Sequence, residues 1–199
     1  AGNQIGPMNG GLAFFSAGNA NDEGDYYPSF YERVIAVAAT THSDVRAYYS
    51  NYGTWVDISA PGGETDVVAE QGIISTLPGG EYGALMGTSM ACPHVSGVAA
   101  LIVSKYGKPG LSPDAVRSRL LMSVDDIYTR NPDYIGKLGS GRLNASIALR
   151  ESDTSGPDAI NDLSVSDVGN GTITLTWTAP QDAADFVSEY DLRYSTSPI

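Results

Sequence analysis

The chain contains one cysteine, Cys92, so no internal disulfide can form and no pair of thiols is spaced to hold a metal. Only two histidines, His42 and His94, are available for proton transfer near neutral pH. Basic residues are scarce, 11 against 23 acidic, which gives a formal charge of −12. Proteins that read nucleic acid are basic, so that partner class is excluded. No run is long and apolar enough to span a membrane. There is no internal repeat and no low-complexity segment, which excludes solenoids and arrays. At 199 residues the chain has room for one large domain or two small ones. Its charge is uneven: nine acids and one arginine from Glu151 onward carry −8 and leave −4 for the first part.

The order of elements reads as follows. Gly11 to Ala17 is a short apolar run suited to a strand buried on both faces. It ends in a polar, turn-rich segment from Gly18 to Gly24, and Tyr26 to Tyr31 forms an aromatic loop. Val34 to Ala39 is a second buried strand, Trp55 to Ile58 a short third, and Ile73 to Thr76 a fourth before the turn Leu77-Pro78-Gly79-Gly80. An extended run, Glu81 to Met86, leads into a helix that reaches about Tyr106, where Lys105, Gly107 and Pro109 end it. Ser112-Pro113-Asp114 opens a second helix with cap, proline and early acid in order, its apolar set including Val116, Leu120 and Leu121. Asn144 caps a short last helix. Buried strands mixed with helices predict an α/β domain with a largely parallel sheet and helices on both faces.

That domain is read as residues 1–150, followed by a polar linker over 151–157. From 158 to 199 the pattern changes to period two, with strands at Leu163 to Val165, Thr172 to Trp177 and Tyr190 to Tyr194. Their spacing resembles the start of a fibronectin type III domain, truncated to three strands.

The chemistry is concentrated in Gly87-Thr88-Ser89-Met90-Ala91-Cys92-Pro93-His94-Val95-Ser96-Gly97. A serine at a helix start is most often a cap. It can also be a nucleophile, because free N–H groups and the helix dipole stabilise developing negative charge there. Gly87 lets the backbone turn sharply, and Ala91 and Gly97 keep the helix surface small. Cys92, in the first turn, reads as a small buried apolar residue. His94 lies five residues past Ser89, about 7.5 Å along the axis and on another face. His42 reads as a solvated loop residue.

This stretch resembles the active-serine motif of the subtilisin-like serine proteases, and the resemblance extends from Gly11 to about Leu149. Ala17-Gly18-Asn19 is similar to the family's oxyanion-hole segment, Asp57-Ile58-Ser59-Ala60-Pro61-Gly62 to an intervening strand, and Gly139-Ser140-Gly141-Arg142-Leu143-Asn144-Ala145 to the closing turn and helix. The resemblance implies hydrolysis of protein or peptide substrates through an acyl-enzyme on Ser89, with Asn19 and the Ser89 N–H holding the oxyanion. It implies that Ser16, Ala17 and Gly18 form one wall of the substrate pocket and that Tyr26 to Ser29 form the other. Packing of Tyr26 beneath its own loop is an equal alternative.

The family order is Asp, His, Ser. The Asp and His motifs are missing here, since Asp153-Thr154-Ser155-Gly156 follows the serine. The expectation is therefore the C-terminal half of a catalytic domain, inactive by itself and completed by an upstream half. Some family members bind a cation near Tyr31–Val34 and Trp55–Asp57. Here Asp57 is a single carboxylate, thin for a hard cation such as calcium, and no metal or cofactor is assigned. The acidic balance and appended β unit fit a secreted or cell-surface enzyme. The competing readings are an inactive subtilase-like binding protein acting through its β unit, and an esterase. The latter wants Gly-x-Ser-x-Gly, which Gly87-Thr88-Ser89-Met90-Ala91 lacks.

Overall fold

Six consecutive residues, Ile35–Thr40, have no solvent exposure at all, and the first unit is arranged around them. In this computed structural model the described residues are 6–66, 68–150, 160, 162–169 and 172–178. The chain divides into two compact units, Ala1–Leu149 and Arg150–Ile199.

The first unit runs β1 (Phe14–Ser16), β2 (Ile35–Thr40), β3 (Ile58–Pro61), β4 (Ile73–Thr76), β5 (Tyr82–Leu85), α1 (Thr88–Tyr106), α2 (Pro113–Met122), β6 (Val124–Asp125), β7 (Arg142–Leu143) and α3 (Ala145–Ala148). Its main sheet has the order β1-β2-β3-β7-β6. The first three pairings are parallel and β6 alone runs antiparallel, so the unit has a largely parallel α/β fold. Alternation along β2 separates two cores. Ile35, Val37 and Ala39 pack with Ala91, Val95, Val98 and Ile102 of α1 and with Val116 and Leu120 of α2. Ala38 faces the other way, against Val56, Ile127 and Leu138, where a short 3-10 turn at Pro132–Tyr134 lies.

The helix ends follow local chemistry. The Ser112 side chain accepts from the Ala115 N–H at 3.2 Å, and Pro113 follows at the first helical position. Asn144 accepts from both Ser146 and Ile147. Gly107 closes α1 by donating to the Val103 carbonyl at 2.8 Å.

Three strand readings are corrected. β1 is an edge strand among the described residues and is covered on one face only: Phe14 packs on the α1 side, while Phe15, on the opposite face, is 36 % exposed. The third strand begins at Ile58, because the Val56 N–H turns back to the Gly53 carbonyl and leaves Trp55 in a turn against Phe30. β4 pairs only with β5, as an antiparallel hairpin outside the main sheet.

In the second unit, β8 (Ser164–Gly169) and β9 (Thr172–Thr176) form a hairpin with an irregularity between Val165 and Asp167. Val165, Val168 and Ile173 are exposed on it. The expected linker and the strand at Tyr190 to Tyr194 lie outside the described residues. Two-stranded hairpins are marginal in water, needing a third strand or a helix to cover an apolar face. Residues 158–199 expressed alone should show exchange-labile amides and no cooperative melt. A sharp thermal transition would show that the segment folds independently.

Candidate active site

The site lies where β1 and α1 meet. The carboxyl end of β1 continues as Ala17, whose N–H still donates to Val37 of β2 at 2.8 Å, and the chain then leaves the sheet at Gly18 and Asn19. Such carboxyl ends are where open α/β sheets place ligand sites.

The N-cap of α1 is Gly87, so Ser89 stands in the first helical turn and is not the cap. First-turn N–H groups lack acceptors inside a helix. Here the Thr88 N–H donates to Asn19 Oδ1 at 2.9 Å, and those of Met90 and Ala91 turn to the Gly87 carbonyl. The Ser89 N–H has no acceptor among the described residues. Ser89 itself is exposed.

Because a backbone N–H can only donate, the atom Asn19 turns toward Thr88 must be its oxygen. The Thr88 hydroxyl also donates to Asn19 Oδ1, at 2.8 Å, and accepts from the Gly18 N–H at 3.2 Å. With Oδ1 taken twice, Asn19 Nδ2 is left to donate elsewhere. A Cβ placed on Gly87 would stand 3.3 Å from that Nδ2 and 3.7 Å from the Ser89 nitrogen. Two donors therefore flank one small space, which only a residue without a side chain keeps open. Gly87 also has φ of 147°, a region that favours glycine. An oxygen bearing negative charge would find two N–H groups and a helix N-terminus there.

Asn51 holds the loop that carries Asn19. It is fully buried; its Oδ1 accepts from the Ala20 N–H at 2.8 Å, and its Nδ2 donates to the Ala17 carbonyl at 2.9 Å. Gly18, at φ of 102°, passes so close that a Cβ would lie 2.5 Å from Asn51 Nδ2. Tyr26 is half-buried, with its ring 3.8 Å from that same Cβ position, so Gly18 and Tyr26 are brought together. Ser16 is half-buried at the end of β1, and Ala17 is fully buried.

An open pocket of about 300 Å³ borders Ser89, lined by Ile73, Ile74 and Ser75 of β4 and by Met90, Pro93 and His94 of α1. Ser89 and His94 thus border the same open pocket. The His94 Nδ1 is within 2.8 Å of the Met90 carbonyl. His42 lies in an exposed loop, bonded to Ser43. Cys92 is half-buried, and burial pushes its thiol pKa up.

The Asp57 carboxylate is already engaged. One oxygen accepts from the Ala36 N–H at 2.8 Å and the other pairs with Arg117, which also reaches the Val34 carbonyl. Burial raises the Asp57 pKa, outweighing the pull of those two donors. No cluster of three or more metal-ligating side chains occurs among the described residues.

The subtilase family model matches residues 3–163. The chain belongs to the subtilase family. Its relatives include thermitase of Thermoactinomyces vulgaris, 38 % identical over 141 residues that cover 71 % of this chain and 45 % of thermitase. Subtilisin NAT of Bacillus subtilis subsp. natto is 42 % identical over 139 residues, covering 68 % of this chain and 32 % of the relative. Among solved structures, a protease from Pseudoalteromonas arctica superposes with a TM-score of 0.61 at 36 % identity, over 69 % of this chain and 42 % of that one. A lanthipeptide protease gives 0.62 at 29 % identity, over 69 % and 50 %. The chain spans half or less of the length of these relatives.

Ser89 and Asn19 were readable as candidates; Thr88, Asn51 and Tyr49 were not. Tyr49 is a buried tyrosine whose hydroxyl donates to the Gly63 carbonyl at 2.7 Å and accepts from the Gly87 N–H at 3.0 Å. Burial, against the opposing Gly87 donor, raises its pKa from 10.0 to about 12. Between those values the native state keeps a proton that the unfolded state has released, so stability falls as pH climbs through that window. Unfolding by urea at a series of pH values should therefore show a steeper alkaline loss for the wild type than for Tyr49→Phe. Equal slopes would remove Tyr49 as the source.

Proposed function

We propose that this chain is the serine-bearing part of a subtilisin-like serine endopeptidase. The observation that carries the reading is the pair of donors, Asn19 Nδ2 and the Ser89 N–H, around the space kept open by Gly87. In this mechanism Ser89 Oγ bonds to the scissile carbonyl carbon. The oxygen that gains charge sits between those two donors. A histidine base, oriented by an aspartate, takes the Ser89 proton and delivers it to the departing amine as the C–N bond breaks. Water then releases the acyl group by the same route.

Neither histidine of this chain serves as that base in this reading: His42 is in an exposed loop, and no hydrogen bond joins His94 to Ser89 among the described residues. The base and its aspartate come from a segment outside residues 1–199, which completes the catalytic domain. Substrates are proteins or peptides, with Ser16, Gly18 and Tyr26 bordering the residue before the cut; Ala17, expected on the same wall, is fully buried and backs it from the core. The parent enzyme is secreted or held at the cell surface, and its fibronectin-like β unit is an appended module. No helix among the described residues is long and apolar enough to cross a membrane. No metal or cofactor takes part in this reading.

An organofluorophosphonate should label Ser89 in the complete protease, and neither Ser75 nor Ser96. Labelling that survives Ser89→Ala would end the assignment. An unlabelled, inactive complete protein would favour the binding-protein alternative. Residues 1–199 alone should hydrolyse no peptide.

Asn19→Leu should lower kcat by ~10²–10³ with KM little changed, a magnitude taken from a subtilisin itself. Gly87→Ala should act in the same direction, since its methyl group enters the space beside Asn19 Nδ2. Unchanged kcat in both variants would return Asn19 to the role of a turn residue.

A further inference from the structure

We infer that Tyr49 is a positioning residue for the oxyanion site, holding the two donor-bearing segments at a fixed separation. The inference rests on the catalytic reading above and adds the part that keeps its geometry.

Tyr49 touches both sides of the site. Its backbone carbonyl accepts from the Asn21 N–H at 2.9 Å, two residues beyond Asn19. Its hydroxyl accepts from the Gly87 N–H, two residues before Ser89. The Gly87 N–H is shared, donating also to the Gly62 carbonyl at 2.9 Å, and the Tyr49 hydroxyl proton goes to Gly63. The phenol thus ties the end of β3 to the residue at which the chain turns into α1. Two residues on, Asn51 braces the 17–22 loop through three hydrogen bonds of its side chain. One short segment therefore fixes the Asn19 loop with its backbone and with Asn51, and the Ser89 turn with the Tyr49 hydroxyl.

Direction matters as much as contact. Gly87 sits at a φ that favours glycine, so no side chain of its own restrains the turn. Its N–H lies in the Met86–Gly87 peptide, which leads into the successive peptides that carry the Thr88 and Ser89 N–H groups. Anchoring that first peptide fixes the direction from which the chain enters the turn; if the anchor slips, the Thr88–Asn19 bond loosens and the two donors spread. The hydroxyl bridges Gly87 to Gly63 only while protonated, because the bond to the Gly63 carbonyl needs its proton. Burial keeps it so up to about 12.

The groups facing the phenol are few. Tyr48 packs edge-on against the ring at 5.3 Å, and Glu64 is the nearby carboxylate whose charge opposes ionisation. Tyr48 directs its own hydroxyl to Asp66, away from Gly87, and so serves as a control of the same chemistry.

The test compares Tyr49→Phe, Tyr48→Phe and Asn19→Leu in the complete protease, with kcat expressed per Ser89 titrated by an organofluorophosphonate. Any unfolded fraction then drops out of the comparison. Tyr49→Phe should lower kcat by ~10-fold, the scale of one hydrogen bond lost in the transition state, with KM within about twofold. A peptide boronate, which forms a tetrahedral adduct on the serine, should lose affinity by the same factor, while an uncleaved product peptide should not. Tyr48→Phe should match the wild type. Wild-type kcat in Tyr49→Phe, or equal weakening of boronate and product peptide, would overturn the inference. If Asn19→Leu lowers kcat and Tyr49→Phe does not, only the Tyr49 assignment falls. If Asn19→Leu has no effect, the oxyanion role of Asn19 falls and this inference falls with it.

Discussion

The Thr88 N–H has no acceptor inside its own helix, and the Asn19 side chain provides one. Much of the site geometry depends on that bond. It consumes the oxygen of the Asn19 amide and so sets which way the amide faces. The Thr88 hydroxyl repeats the restraint and adds a bond from Gly18. Thr88 is fully buried, so water cannot replace these bonds and its polar groups are costly to leave unpaired. A loop at the end of β1 and the start of α1 are thereby locked together, 69 residues apart in sequence.

Packing makes this lock rigid. α1 lies across β1, β2 and β3, with Ala91, Val95, Val98 and Ile102 set into the same core as Ile35, Val37 and Ile58. Small residues in the first turns let the helix approach the sheet closely. The helix start is therefore fixed from below by apolar contact and from the side by Asn19 and Tyr49. Free first-turn N–H groups are a liability at most helix ends; here that of Ser89 has no acceptor among the described residues. Asp57 makes a comparable contrast. A single partly buried carboxylate reads as a fragment of a cation site, yet Arg117 and the Ala36 N–H already occupy it.

Elements with strong periodicity or local punctuation were legible. β2 is a continuous apolar run, α2 has its Ser-Pro-Asp start, and α1 has glycine and proline at its end. Errors fell where pairing decides the outcome. β1 looked doubly buried because Phe14 and Phe15 are both apolar, but burial of an edge strand depends on what covers its far face. β3 began three residues late because a turn at Gly53 captured Val56. β4 could not be assigned to a sheet from its own residues, since its partner is the strand that follows the turn.

The sequence alone determined which groups are present for chemistry: a serine among small residues at a helix start, an asparagine after glycine, and two histidines. Those facts are local, because helix caps, turns and glycine conformations are set by neighbours a few residues away. Tertiary structure decided how the groups face one another. Only in the folded chain does Thr88 orient the Asn19 amide, does Asn51 mould the Gly18 loop, and does Tyr49 reach both sides of the site. Each of those contacts joins segments 28 to 69 residues apart. No local pattern encodes such contacts, because they depend on how the sheet and helix pack, and that packing is set by burial across the whole unit.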